Sequence, residues 1–218
     1  MNDSIPASPS ATDYISDDSA RDLSWINADN PISLFDDWLA SAGNTESNDP
    51  NAMSLATVDA DGQPDVRIVL LKGLSAQGFA FYTNSRSAKG EQLAAVPQAA
   101  LCFHWKSQRR QVRVRGTIIE VDPKDSDAYF ESRARGSRLS AWASKQSQPA
   151  ADRDELLTAM QITEARFDGQ DVPRPPHWYG YRLVPETIEF WQDGAFRLHD
   201  RIVFTHADDG WEKTRLYP

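Results

Sequence analysis

A chain of 218 residues and 24.4 kDa is long enough to bury a core, and 40% hydrophobic with 25% charged residues is a globular composition, not a disordered or fibrous one. No uninterrupted apolar run reaches the roughly 18 residues of a membrane helix, and a single cysteine, Cys102, excludes an internal disulfide framework and a cysteine zinc site. The formal charge of −9 belongs to the leader: residues 1–50 carry ten acids against one base, Arg21, while the rest holds 22 of each, so the body can still bind an anion.

The first residues, MNDSIPASPS, lack a basic start and an apolar stretch, so no secretory signal is expected. The four histidines, His104, His177, His199 and His206, show no HExxH spacing. A cytoplasmic, metal-independent protein is the expectation.

Residues 1–29, rich in Ser, Asp, Ala and Asn, read as an acidic, mobile arm, and residues 30–218 as one domain. Asn30-Pro31 predicts a helix start, with Leu34, Phe35, Trp38 and Leu39 on one face. Met53–Val58 and Val66–Leu71 read as a hairpin around Asp59-Ala60-Asp61-Gly62. A strand follows at Phe79–Thr83, then a short helix over Ser85–Val96, ended by Pro97. Ala99–Trp105 and Gln111–Val121 read as a strand pair about the turn Lys106–Arg110. Asp122-Pro123 opens a helix to about Arg133, Gly136–Ala143 adds a helical turn, and Ala150–Phe167 is a longer helix. After the proline-rich connector Val172–Pro176, strands are predicted at Tyr179–Val184, Thr187–Trp191, Ile202–Thr205 and Trp211–Leu216. Short turns between most strands, with helices inserted, argue for a mainly antiparallel α+β barrel. The absence of G-x-G-x-x-G and of a P-loop argues against a Rossmann-type nucleotide fold.

Several clusters can carry chemistry. In Arg67-Ile68-Val69-Leu70-Leu71-Lys72 two cations bracket four aliphatics, and strand alternation puts Lys72 on an otherwise apolar face. They are either solvated strand ends or a phosphate clamp, in which Arg offers a planar fork and Lys a point charge. Phe81-Tyr82-Thr83-Asn84 leads into Ser85-Arg86-Ser87-Ala88-Lys89, where a helix start beside a lysine suits a phosphate, or is an ordinary serine cap. Gln111, Arg113 and Arg115 alternate with valines beside Lys106, Arg109 and Arg110. The neighbouring Phe103 and Trp105 make nucleic acid a reading to weigh, but a neutral body favours a solvated face or a subunit contact. Tyr129 and Arg133 are i and i+4 on a helix, with Ser137 following on the same side if the turn continues; the alternative is a helix end favoured by its dipole. Arg197, His199 and Arg201 share a face if they form a strand, next to Trp191. Asp200 then points to the other face, and no placed nucleophile accompanies the histidine, which speaks against a hydrolase.

Taken in order, RIVLLK, FYTN with SxK, the Tyr-x-x-x-Arg-x-x-x-Ser run, SKQS, EFWQ, RLHDR and the closing RLYP resemble the pyridoxamine 5'-phosphate oxidase family over roughly residues 30–218. The resemblance implies an FMN-binding split β-barrel with peripheral helices, working as a homodimer with FMN at the subunit interface. It implies oxidation of pyridoxamine or pyridoxine 5'-phosphate by oxygen to pyridoxal 5'-phosphate, with hydrogen peroxide and, from the amine, ammonia released. By the same resemblance Arg67, Ile68, Val69, Leu70, Leu71, Lys72, Tyr82, Thr83, Lys89, Gln111, Gln146, Ser147, Trp191 and Arg201 hold the cofactor. Lys72, Tyr129, Arg133 and Ser137 hold the substrate phosphate, and Arg197, Leu198 and His199 lie at the pyridine ring, with Arg197 and His199 as the catalytic pair. No nucleic acid, membrane or metal partner is expected.

Two departures stand out. The arm offers Tyr14 without the basic partner many relatives carry, and Ala88 stands where the family often has a base, with Arg86 as a nearby substitute. The competing readings are a related oxidase of the phenazine-biosynthesis type and a non-catalytic FMN or pyridoxal-phosphate carrier. Lys72, Tyr129, Arg133 and Ser137 argue against the first, and Arg197 with His199 against the second.

Overall fold

In the computed structural model residues 21–218 are described; the greater part of the predicted arm, Tyr14 included, lies outside them. Five helices and nine strands follow in chain order among the described residues. The strands are β1 (Ala52–Val58), β2 (Pro64–Leu70), β3 (Gly73–Ser75), β4 (Gly78–Asn84), β5 (Gln98–Trp105), β6 (Arg110–Glu120), β7 (Trp178–Gln192), β8 (Asp200–Ala207) and β9 (Gly210–Leu216). The helices are α1 (Pro31–Gly43), α2 (Ala88–Ala95), α3 (Pro123–Ser132), α4 (Arg135–Ala143) and α5 (Arg153–Arg166). Hydrogen-bonded neighbours run β2-β1-β5-β6-β7-β4-β3, with β8 on β7 and β9 on β8. The five strand pairings whose register is defined are all antiparallel. This is the α+β split-barrel architecture expected above. No helix among the described residues is long and apolar enough to cross a membrane.

The chain forms two compact units. The first takes the residues up to Asn51, Cys102–Val114 and Glu186–Pro218. Its α1 begins as predicted: Asn30 Oδ1 accepts from the Ile32 and Ser33 amides, and Pro31 needs no amide of its own. The apolar stripe buries Leu34, Phe35 and Trp38 against an aromatic core. Phe35 meets Phe103 edge-on at 4.8 Å between centroids, and Trp38 meets Phe190 at 5.2 Å. Trp25, in a 3-10 turn over Ser24–Asn27, is buried and donates its indole N–H to Gln192 Oε1 at 2.5 Å. Packing therefore reaches back before Asn30, where the helix cap marks the domain start in the sequence. The β8–β9 hairpin closes this unit, with Arg201 opposite Leu216.

The second unit takes Ala52–Leu101 and Arg115–Pro185. The β1–β2 hairpin turns at Gly62, whose φ of 84° suits glycine, and Asp59 Oδ1 accepts from the Asp61 and Gln63 amides. β1 alternates buried and half-buried residues, while β2 is exposed along most of its length. β4 pairs with β7, Phe79 opposite Leu183, and both side chains are fully buried. A satellite cluster of Leu139, Phe167 and Val172 packs beneath Trp142 and Met160.

Three expectations change. β3 was not predicted. Tyr179–Val184 and Thr187–Trp191 are one strand, β7, despite Pro185: pairing with β4 ends at Leu183 and pairing with β8 begins at Thr187, so neither ladder needs the missing amide. Residues 195–197 form a 3-10 turn instead of strand, with Phe196 and Arg197 both left-handed, at φ 54° and 64°.

Candidate active site

In the second unit a cavity of 310 Å³ is lined by Ile68, Val69 and Leu70 of β2, Lys72 just after it, Tyr82, Thr83 and Asn84 of β4, Lys89 of α2, Tyr129 and Arg133 at the end of α3, Gln146 and Trp178. These twelve residues, distant in sequence, become one surface because β2, β4 and β7 deliver their ends to it while α2 and α3 start or stop there.

Lys89 is the centre of its charge. It is 8% exposed, yet Nζ donates only to hydroxyls, Thr83 Oγ1 at 3.2 Å and Ser87 Oγ at 3.1 Å. No carboxylate among the described residues forms an ion pair with it; the nearest influence of that sign is Asp65, which Arg67 and Gln92 already engage. Burial, then the Arg67 charge, hold the ammonium below the usual lysine range, and Asp65 offsets this in part. Ser87 caps α2 by accepting from Gly90 N, leaving the helix start open beside the ammonium. Gly90 is required here, since a Cβ would lie 2.3 Å from the Ser85 carbonyl oxygen.

The opposite wall is an aromatic stack. Tyr82 and Tyr129 lie 4.1 Å apart at 23°, and Trp178 continues the stack 5.6 Å from Tyr82. The Arg133 guanidinium sits 4.8 Å over Trp178, and its Nη1 is buried without a hydrogen-bond partner. Burial pushes both tyrosine hydroxyls up, so they remain donors at neutral pH, and burial pulls Arg133 down. A half-buried guanidinium with a buried, unused N–H asks for an anion, because the orphaned donor costs about 1–3 kcal/mol until it is met.

The remaining candidates of this unit stand apart from that cavity lining. Arg67 donates through Nη1 to Leu55 O at 3.2 Å and Thr57 Oγ1 at 2.5 Å, and through Nη2 to Gln92 Oε1 at 3.0 Å. Leu71 is buried behind the strand. α3 ends at Ser132 and Arg133 is its extended C-cap, so Ser137 belongs to the next helix, α4, and does not continue the Tyr129–Arg133 face. Ser147, left-handed at φ 69°, lines a separate hollow against α5, while Gln146 reaches both and accepts from Thr83 Oγ1 at 3.4 Å. Arg86 is exposed and lines a neighbouring cavity with Lys145 and His177.

In the first unit Trp191, His199 and Arg201 gather around the β7–β8 connection. The rings of Trp191 and His199 lie 4.7 Å apart, and Trp191 is the register partner of Arg201. Glu189, 5% exposed, holds Arg201 (Nε to Oε1 at 2.9 Å) and Arg113 (Nη2 to Oε2 at 2.9 Å). Gln111 is half-buried on β6. Arg197 and Leu198 are exposed; Arg197, with Phe196, is left-handed, a conformation that costs a non-glycine residue of order 1 kcal/mol or more, while Leu198 is not. Of the basic run, Arg109 pairs with Asp193, Arg110 lies 4.4 Å over Trp38 and Arg113 pairs with Glu189, so these cations are engaged within the protein.

Two residues of these two groups were not among the sequence candidates: Trp178 lines the cavity and Asp193 contacts His199. Asn84 and Glu189 stood in the FYTN and EFWQ stretches without an assigned role; Asn84 lines the cavity and Glu189 holds Arg201. Asp200, the acid next to His199 in sequence, is instead buried and paired with Arg21 and Arg215.

Comparison with known proteins agrees over nearly the whole chain. Residues 42–167 match the family model described as pyridoxamine 5'-phosphate oxidase, and residues 178–218 match one described as the pyridoxine 5'-phosphate oxidase C-terminal dimerisation region. A curated pyridoxine/pyridoxamine 5'-phosphate oxidase of Hyphomonas neptunium is 60% identical over 216 residues, covering 98% of each chain. One from Caulobacter vibrioides is 55% identical over 215 residues, covering 98% of this chain and 97% of the other. Among solved structures, PhzG from Burkholderia lata 383, in complex with tetrahydrophenazine-1-carboxylic acid, superposes with a TM-score of 0.85 at 29% identity, covering 92% of this chain and 99% of that one.

Proposed function

The chain belongs to the pyridoxamine 5'-phosphate oxidase family, and from that premise we propose that it oxidises pyridoxamine 5'-phosphate or pyridoxine 5'-phosphate to pyridoxal 5'-phosphate, with FMN as cofactor and oxygen as acceptor. Hydrogen peroxide leaves in either case, and ammonia when the substrate is the amine. The observation that carries the reading is one cavity with two cationic poles lacking counter-charge, Lys89 at one wall and the orphaned Arg133 Nη1 at the other. Two phosphate monoesters, one of the cofactor and one of the substrate, match that demand.

The residues present fit FMN. Lys89, the open start of α2 and the Thr83 hydroxyl suit its phosphate, with Arg67 adding charge nearby. Ile68 to Lys72, Tyr82 and Gln146 offer backbone and polar edges to the ring system, and Gln111, Ser147, Trp191 and Arg201 are the remaining contacts the family pattern assigns. FMN, when bound, supplies the acceptance of hydride from the substrate. The protein's own work is then positioning. Lys72, Tyr129 and Arg133 bind the substrate phosphate, with the Ser137 hydroxyl contributed from α4. Arg197, with Leu198, and His199 hold the pyridine ring, and the guanidinium stabilises negative charge developing near it. The C-terminal match to a dimerisation region supports a homodimer.

The PhzG likeness favours a second reading, oxidation of a different, phosphate-free substrate on the same scaffold. One cuvette separates them. The purified protein is expected to show a flavin spectrum that bleaches on anaerobic addition of pyridoxine 5'-phosphate and returns with air. A flavin spectrum that never bleaches would remove the B6 substrate, and failure to take up added FMN would remove the cofactor.

A further inference from the structure

His199 does not stand alone in its turn. Its Nδ1 lies 2.9 Å from Asp193 Oδ1, and both side chains are 18% exposed. The second oxygen of Asp193 pairs with Arg109, and the Asp193 amide donates to the Arg109 carbonyl at 3.0 Å. The carboxylate is thus fixed from two sides before it meets the imidazole. Gly194 makes the approach possible, since a Cβ there would lie 2.1 Å from the Leu198 carbonyl oxygen. Only glycine lets the 194–198 loop fold tightly enough to return His199 onto Asp193, with the Trp191 ring behind it at 4.7 Å.

Two groups compete for Nδ1. The Gly194 amide lies 3.2 Å away and would need a lone pair on that atom; the Asp193 carboxylate needs a proton on it. The ionic contact is shorter and charge-assisted, and a bare nitrogen facing a carboxylate would be repulsive, so the carboxylate prevails. We propose that Asp193 is a positioning residue: it accepts the Nδ1 proton of His199, holds the imidazole as the Nδ1–H tautomer against Trp191, and leaves Nε2 as the ring atom offered to the substrate. The role rests on the oxidase reading above, in which His199 meets the pyridine ring. A neutral Nε2 can then accept a hydrogen bond from the hydroxyl or amine undergoing oxidation, whereas the opposite tautomer could only donate.

The test uses the 15N-labelled holoenzyme and two-bond proton–nitrogen correlations of its histidine rings at a pH of about 8.5, where an ordinary imidazole is neutral. There are four histidines, so His199→Gln identifies the signals. The wild type is expected to show His199 protonated at Nδ1, and Asp193→Ala to reverse it to Nε2–H as Gly194 takes the vacated lone pair. With flavin content and KM held, kcat should fall roughly 10- to 100-fold, the loss typical when a group orienting a histidine is removed. Asp193→Asn, nearly isosteric and still able to accept from Nδ1 through its amide oxygen, should retain the tautomer and recover part of kcat. An Nε2–H tautomer in the wild type, or an Asp193→Ala protein with tautomer and kcat unchanged, would overturn the proposal. A wild type with the expected tautomer and no turnover of pyridoxine 5'-phosphate would overturn the oxidase reading instead.

Discussion

Lys89 shows how far function and stability pull apart at a single residue. Its depressed pKa means that the folded apoprotein disfavours the ammonium relative to the unfolded chain. Between the folded value and the ordinary 10.5 the unfolded state binds more protons, so apoprotein stability should rise with pH through that window. Above about pH 10 the phenols of Tyr82, Tyr129 and Tyr181, all pushed up mainly by desolvation, reverse the trend. Lys89→Met should therefore give an apoprotein that melts no lower than wild type at neutral pH, has lost the alkaline rise, and no longer retains flavin; thermal melts across pH with flavin stoichiometry would check it. Arg133→Ala should instead leave flavin in place and raise the KM for the phosphorylated substrate, since a charge-assisted contact contributes roughly 1.5–3 kcal/mol; initial rates at varied substrate measure it. Lys72, Lys89, Tyr129 and Arg133 could be picked out from sequence because each is a polar residue placed against an apolar period or a helix start. Asp193 could not. Its partner is six positions away through a turn with two left-handed residues, and no period of helix or strand spans that path.

At the scale of elements, the legible features were those with local chemistry. Asn30-Pro31 and Asp122-Pro123 place α1 and α3 because cap and proline act within one turn. The Asp-Gly hairpin is local in the same sense. β3, only three residues long, is held by its pairing with β4 and carries no signal of its own. The continuity of β7 was hidden by Pro185, whose tolerance depends on where its partners begin and end. At the start of α2 the chain of Ser85 leaves no room for a side chain at Gly90. Gly90→Ala must push that helix from the Ser85 carbonyl, and overpacking of this kind costs about 1–3 kcal/mol. We expect a lower melting temperature together with weaker flavin retention, read from the same thermal and absorbance scans. Unchanged flavin affinity would detach the α2 start from the cofactor phosphate.

For the whole molecule, the exposed length of β2 is unusual for a strand carrying Val66 at 62% and Ile68 at 65% exposure. The C-terminal match to a dimerisation region, residues 178–218, suggests a homodimer. Light scattering after size exclusion should return about twice the 24.4 kDa chain mass; a monomer carrying full flavin would contradict a cofactor held between subunits. The mainly antiparallel α+β barrel class was readable because strands and short turns alternate along the chain; its split-barrel form came from the family resemblance. The grouping of chemistry into two units was not, since each unit is assembled from separate stretches of sequence.

The uncompensated ammonium of Lys89 also has a bearing on the protein's life in a cell. A fold that carries an unanswered charge until its ligand arrives gains RT ln(1 + [L]/Kd) from that ligand, roughly 2.7 kcal/mol at a hundredfold excess over Kd. With FMN as that ligand, as proposed above, riboflavin starvation should leave the chain longer open to proteases, and pulse-chase turnover with and without the vitamin would measure it.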